Sequence, residues 1–236
     1  MKVTVRHGAI LLVLLGATAI GLREFVSSPF QLFGDYVVRV ETQEQVVALT
    51  FDDGPNPTHT PRVLDVLDQH RVKATFFMMG RNVERYPAVA REVLRRGHEI
   101  GNHSYSHPKL VLMSPRRVRD EIERTDMLLR GIGVSSDIHF RPPHGSKFIV
   151  LPYVLVQMKK LSVLCDVDPE EWRRHSASVM TESILRQVRP GSIIGLHDPM
   201  GAETLRTLQN IIPALASRGY RFETVSALVR RRPEPR

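Results

Sequence analysis

The chain has 236 residues, is 42% hydrophobic, and carries a formal net charge of +8. That length suits one large α/β domain with a full core. A single cysteine, Cys165, excludes a disulfide framework. The positive charge suits an anionic wall polymer or lipid surface. No nucleic-acid motif accompanies it, so no nucleic-acid partner is expected.

In chain order, Lys2 and Arg6 precede an uncharged apolar run from Ala9 to Leu22, which Arg23-Glu24 ends. Basic-then-apolar order marks a secretory segment. Ala17-Thr18-Ala19 offers a small-x-small cleavage site, yet the run continues past it. Residues 1–22 are therefore read as a signal peptide or a signal anchor, short for a full span. The basic residues keep the N-terminus inside, so the remainder is expected outside the cytoplasm, secreted or membrane-tethered. Residues 23–43 read as a connector with one strand signal at 36–40. Residues 229–236 read as a basic disordered tail.

Within residues 44–228, strand and helix signals alternate. Strands are expected at 46–51, 74–79, 98–102, 138–140, 162–167, 192–196 and 220–225. One helix starts at Thr60-Pro61, with Thr60 as N-cap and Val63, Leu64 and Leu67 as its apolar stripe. Further helices are expected at 87–96, 114–130, 148–160, 178–188 and 203–217, with a short one after Ser226. There is no repeat, internal linker or second domain. Repeated βα units imply an α/β fold with about seven parallel strands, closed into an irregular barrel. An open doubly wound sheet is the alternative.

The chemistry-bearing groups share one position. Asp52-Asp53 follow the first core strand, in Thr50-Phe51-Asp52-Asp53-Gly54-Pro55. His103 and His107 follow the third, Arg141-Pro142-Pro143-His144-Gly145 the fourth. Asp166, Asp168 and Trp172 follow the fifth, and His197-Asp198 the sixth. Parallel α/β folds build their sites at the C-terminal strand ends. Paired carboxylates at a strand end are costly for stability alone and usually serve metal binding or proton chemistry. One aspartate can bind a metal while the other faces an attacking water. The two imidazoles supply neutral nitrogen ligands and leave coordination positions open. Arg141 can hold an aspartate ionised, the Pro-Pro-x-Gly backbone can present an N–H to an oxyanion, and His197 can protonate a leaving group. Singly, each motif has an ordinary reading as a turn, an incidental pair, an ion pair or a core residue. Their conjunction at five strand ends carries the argument. Cys165 reads as a small buried hydrophobe, and His98 as a packing or hydrogen-bonding residue near a strand start.

These segments, with Ala74-Thr75-Phe76-Phe77 and Gly97-His98-Glu99-Ile100-Gly101-Asn102, resemble the polysaccharide deacetylase family. This is carbohydrate esterase family four, or the NodB-homology domain, and the likeness spans roughly residues 44–228. The resemblance implies a distorted (β/α) barrel and one divalent metal ion, zinc first, with cobalt, manganese or nickel as alternatives. It implies Asp53, His103 and His107 as ligands and Asp52 as general base. Arg141 would orient Asp52, and Asp168 would tune His197 as general acid. The backbone N–H of His144 would face the oxyanion, and Pro143, Trp172 and Leu196 would shape the substrate pocket. The implied reaction removes N-acetyl groups from an N-acetylglucosamine polysaccharide, by a monomer touching the membrane only through its N-terminal segment. Two departures bear on substrate fit. Glu171 stands where Asp often precedes the tryptophan, and Cys165 where a larger residue is common. Alternatives are an O-acetyl esterase on xylan, a non-catalytic wall-associated sugar-binding protein, and an iron oxygenase. A retaining glycosidase lacks a second placed acid once Asp53 is a ligand.

Overall fold

The computed structural model describes residues 34–111, 113–145, 149–170, 176–198 and 201–232. The expected signal segment, Glu171, Trp172 and the last four residues lie outside them. The described strands are β1 (Tyr36–Val37), β2 (Val46–Asp52), β3 (Thr75–Met78), β4 (Glu99–Asn102), β5 (Ser162–Val163), β6 (Ile193–His197) and β7 (Arg221–Glu223). The α-helices are α1 (Thr60–Gln69), α2 (Gly80–Arg85), α3 (Pro87–Arg95), α4 (Pro115–Gly131), α5 (Val150–Gln157), α6 (Ala177–Gln187), α7 (Ala202–Ser217) and α8 (Val225–Val229).

β2 is the organising strand, and all seven of its residues are buried. It pairs in parallel with β6 on one side and with β3 and β7 on the other, and β4 follows β3. The ring closes through single bridges. Phe140 joins Asn102 to Ser162, and Val167 joins Ile194, so β6 leads back to β2. This is the expected distorted barrel, and every ladder in it is parallel.

Strand alternation sorts β2 into two rows. Leu49 and Phe51 face the helices and join Phe76, Leu64, Leu67, Val93, Leu208 and Ile211 in the main core. Phe51 stacks on Phe76 with ring centroids 4.9 Å apart. Each such buried side chain contributes about 1.5–3 kcal/mol relative to exposure. Val46 and Ala48 instead face the barrel interior with Phe77, Val163 and Ile193. Thr50 and Asp52 continue that inner row upward and meet Arg141. The N-terminal end of the barrel is sealed by α8. Its Thr224 side chain accepts from Ala227 N, Val225 N donates to Thr75 Oγ1 (2.9 Å), and Ser226 N donates to Glu99 Oε2 (3.1 Å).

Five local readings change. The strand at 138–140 reduces to Phe140 alone, bridged to Asn102 on one side and Ser162 on the other. The strand at 162–167 keeps its ladder only over Ser162–Val163, because the Arg141 guanidinium takes the carbonyls of Val163 and Leu164. Helix α2 gave no periodic signal, being six residues long, and it is held by Gly80 N and Arg81 N donating to Ser104 O and Tyr105 O. Thr60 is the first residue of α1, not its cap; its buried hydroxyl donates to Asp198. In the segment read as a tail, Arg231 pairs with Glu223 and Glu44, each at 2.6 Å.

His98 packs edge-on against Phe76, and its Nδ1 accepts from Ala74 N at 3.2 Å. Burial, with a smaller contribution from Lys73, lowers its pKa from 6.5 to about 4. Across that window the unfolded chain binds more protons than the folded one. The neutral imidazole's stabilisation is therefore complete above the unfolded value and is lost as pH falls through the folded one. Chemical denaturation should show stability falling by roughly 2 kcal/mol from about pH 7 to about pH 5 on this account. His98→Gln should flatten that part of the profile; an unchanged slope would assign it to other groups.

Candidate active site

Asp52 ends β2, opposite His197 at the end of β6. Next in the chain, Asp53 adopts a left-handed backbone (φ 69°), which Asp tolerates better than most residues. The turn sends the two neighbouring carboxylates to different partners. Asn82 Nδ2 fixes it by donating to Asp53 O at 2.7 Å.

The histidine loop is built by a second set of polar contacts. Asn102 donates to Ile122 O (2.9 Å) and Asp126 (2.7 Å), while its Oδ1 accepts from Ser104 N at 2.8 Å. Glu121 of α4 accepts from Tyr105 N, Ser106 N and Ser106 Oγ at 2.8–3.0 Å. Ser104 Oγ accepts from His107 N at 3.1 Å. These bonds support left-handed backbone at Ser104 (φ 63°) and His107 (φ 60°), so both imidazoles turn toward Asp53.

His103 Nε2 and His107 Nε2 lie 3.5 and 3.3 Å from Asp53 Oδ1. One donor atom from each of the three residues falls within 4.8 Å of the others. His103 Nδ1 faces Arg141 O at 2.8 Å, which assigns the proton to Nδ1 and leaves Nε2 as a lone-pair donor. Burial lowers the His103 pKa, against the opposing pull of Asp52 and Asp53, and favours the neutral ligand form. Asp53 Oδ1 is buried without a hydrogen-bond partner among the described residues. An orphaned buried carboxylate oxygen beside two lone-pair nitrogens fits a divalent cation.

Arg141, buried, donates to Asp52 Oδ1 (2.8 Å), Thr50 Oγ1 (2.7 Å), Val163 O (3.3 Å) and Leu164 O (3.2 Å), and stacks on Phe77 at 4.1 Å. Burial pushes the Asp52 carboxyl up, but Arg141, with His103 and His197, outweighs it and holds the pKa below the usual carboxylate value. Asp52 is thus an ionised carboxylate beside the Asp53–His103–His107 cluster.

Other expected site residues fall as follows. His144 has a left-handed backbone (φ 57°) and sets its ring edge-on to His107, with centroids 4.5 Å apart. Pro143 and Leu196 are buried, the latter in the main core. Asp168 is exposed, and its Oδ1 accepts from Glu170 N at 2.7 Å. Trp172 lies outside the described residues. Cys165 packs against Gly195, and burial raises its thiol pKa to about 12.

The supporting residues Asn82, Asn102, Glu121 and Thr50 escaped the sequence reading, since each is an isolated polar residue whose partner is distant in sequence. Asp198 follows His197 in the chain. It is buried and accepts from the Thr60 hydroxyl, its carboxylate lies directly over Gly54, and burial pushes its pKa up to about 7.

Comparison with known proteins agrees with this fold. The polysaccharide deacetylase family profile matches residues 39–162. A peptidoglycan-N-acetylglucosamine deacetylase from Bacillus cereus is 37% identical over 185 residues, covering 77% of this chain and 67% of that protein. A chitooligosaccharide deacetylase from Bradyrhizobium sp. is 39% identical over 199 residues, covering 77% and 90%. Among solved structures, a peptidoglycan N-acetylglucosamine deacetylase bound to an N-hydroxybenzamide superposes with a TM-score of 0.79 at 34% identity, covering 85% of this chain and 95% of that one. A family 4 acetyl xylan esterase from Clostridium thermocellum in complex with a cobalt ion gives 0.74 at 36% identity, covering 80% and 93%. The chain belongs to the polysaccharide deacetylase family.

The loop contacts of Glu121 give a direct expectation. Glu121→Ala should weaken zinc or cobalt binding about 10–100-fold although it touches no ligand. Glu121→Gln, which keeps an acceptor oxygen, should recover part of the loss. Competition with a chromophoric chelator measures both, and unchanged affinity in the alanine variant would separate the loop bonds from the metal set.

Proposed function

We propose that this protein is a metal-dependent hydrolase that removes N-acetyl groups from an N-acetylglucosamine-containing polysaccharide outside the cytoplasm. The observation that carries this reading is the Asp53–His103–His107 donor set beside an ionised Asp52 at one mouth of the barrel. Asp53, His103 and His107 would hold one divalent cation, which when bound supplies Lewis acidity and makes water a nucleophile near neutral pH. Zinc is the first candidate, and the related esterase with a cobalt ion supports cobalt as a substitute.

The protein's own groups divide the proton work. Asp52 takes a proton from the water as its oxygen bonds to the acetamide carbonyl carbon. Arg141 keeps Asp52 ionised and aimed. The His144 backbone N–H faces the negative charge that develops on the carbonyl oxygen. His197 gives a proton to the amide nitrogen as the C–N bond breaks, because an amine leaves poorly unprotonated. The products are acetate and a free amine on the sugar. Asp168 would act on His197 from the loop after β5. Pro143 would floor the pocket for the acetyl methyl, and Leu196, buried in the main core beside Phe51, would support it from behind.

Peptidoglycan, chitin-type oligomers and exopolysaccharides all carry the required acetamide. The acetyl xylan esterase likeness motivates a second reading, ester cleavage on xylan. Acetate release from a panel of these glycans discriminates the two; release from acetylated xylan alone would overturn N-deacetylation. Asp52→Asn should keep the metal and lose activity by ~10²-fold or more. His197→Ala should slow the acetamide more than a nitrophenyl acetate, whose leaving group needs little protonation. Equal slowing of both would remove the general-acid role.

The domain arrangement proposed is an N-terminal signal or anchor in residues 1–22, a connector, and the catalytic barrel. Among the described residues, no helix is long and apolar enough to cross a membrane. A reporter fused after residue 45 should be active only outside the cytoplasm, and cytoplasmic activity would refute export.

A further inference from the structure

The two ends of the barrel differ in a way the reaction does not use. The site occupies the C-terminal strand ends. At the opposite end the chain enters at Gly34 and Tyr36, and β1 pairs with the start of β5. Gly34 shares a cavity of about 380 Å³ with Pro152, Leu155, Val156, Lys159 and Leu161. From that cavity an apolar stripe runs along α5: Ile149, Tyr153 and Val156 are 43%, 44% and 47% exposed. Their i, i+4, i+7 spacing places them on one helix face.

The same end carries the arginine run after α8. Arg232 Nη2 donates to Tyr36 O at 3.1 Å, which fixes this run beside the chain entry. The acids nearby are largely matched: Glu44 pairs with Arg221 and Arg231, and Glu223 also pairs with Arg231. Asp35 lines the cavity. Arg230, Arg232 and Lys159 are exposed. Residues 23–33 separate the end of the apolar Ala9–Leu22 run from Gly34. Eleven residues reach at most roughly 40 Å, so an anchored segment keeps this end close to the bilayer.

We propose that the N-terminal end of the barrel docks on an anionic phospholipid surface. Arg230, Arg232 and Lys159 meet the headgroups, Tyr153 and Val156 meet the interface, and the active site faces away from the bilayer. The proposal rests on the anchor reading only for the proximity it provides. Each basic residue near an anionic leaflet contributes about 1 kcal/mol, a fivefold effect on the docked population. Tyr suits the interfacial level, where its ring and hydroxyl meet different media.

The test uses the full chain with a fluorophore at Tyr153→Cys or, on the site side, at Val179→Cys. Both labelled chains also carry Cys165→Ser, so that the introduced cysteine is the one thiol available to the fluorophore. Each labelled chain is mixed with phosphatidylcholine vesicles, with or without phosphatidylglycerol, containing a headgroup quencher. Docking is expected to quench the label at 153 in anionic vesicles and to spare the label at 179. Arg230→Gln with Arg232→Gln should cut the docked fraction about fivefold per charge. Sedimentation with neutral vesicles reads the anchor separately. Co-sedimentation without selective quenching at 153 would overturn docking while the anchor stands. Quenching at 153 in anionic vesicles without retention on neutral ones would overturn the anchor and support docking. No association with either vesicle overturns both. A label at 153 shielded from aqueous iodide but not quenched by lipid would assign the stripe to residues 23–33, and the proposal fails.

Discussion

The structure depends on one buried cation. Arg141 sits where the barrel is weakest, between β4 and β6, where Phe140 and Val167 supply only single bridges. Its guanidinium ties β2, through Thr50 and Asp52, to the carbonyls of Val163 and Leu164 across that gap. Removing two ions from water costs several kcal/mol each, and attraction repays it only with good geometry and satisfied hydrogen bonds. Here the fork is met by a carboxylate, a hydroxyl and two carbonyls, with Phe77 against its plane. The backbone oxygen of the same residue orients His103. One residue therefore closes the barrel, holds the Asp52 carboxylate ionised and sets the tautomer of His103.

That coupling explains which features were legible in the sequence. β2 could be read because seven buried residues in a parallel sheet give a continuous apolar run, and its end was marked by Asp52-Asp53. Longer helices such as α4 and α7 could be read from their apolar stripes. The Asp53–His103–His107 cluster was legible because its residue types are scarce and sit at strand ends. What escaped was set by contacts distant in sequence. The 162–167 segment has strand composition, but Arg141 captures its carbonyls. Thr60 has the composition of a cap, but Asp198 captures its hydroxyl. The left-handed turns at Asp53, Ser104, His107 and His144 occur at non-glycine residues, where sequence gives little warning. Asn102 and Glu121 read as ordinary polar residues until the loop they hold is seen.

The barrel separates its tasks along its axis. The C-terminal strand ends carry orphaned and ionised groups that are poorly placed for stability alone. The N-terminal ends carry closed networks, such as Thr75, Glu99 and Ser226 around the start of α8. Polarity is thus tolerated at the working end because the other end and the apolar clusters on both faces of β2 hold the strands in place. The basic, partly apolar underside belongs to the non-catalytic end, which leaves it available for a surface contact that would not obstruct substrate.

The central claim is that Asp53, His103 and His107 together form the metal centre that Arg141 and Asp52 serve. X-ray absorption spectroscopy of the cobalt-loaded protein tests it most directly, because imidazole rings give a characteristic multiple-scattering pattern. The account predicts a shell with two imidazole nitrogens and carboxylate oxygen, and the loss of one imidazole contribution in His107→Ala. A shell without imidazole, or one unchanged by that substitution, would contradict it.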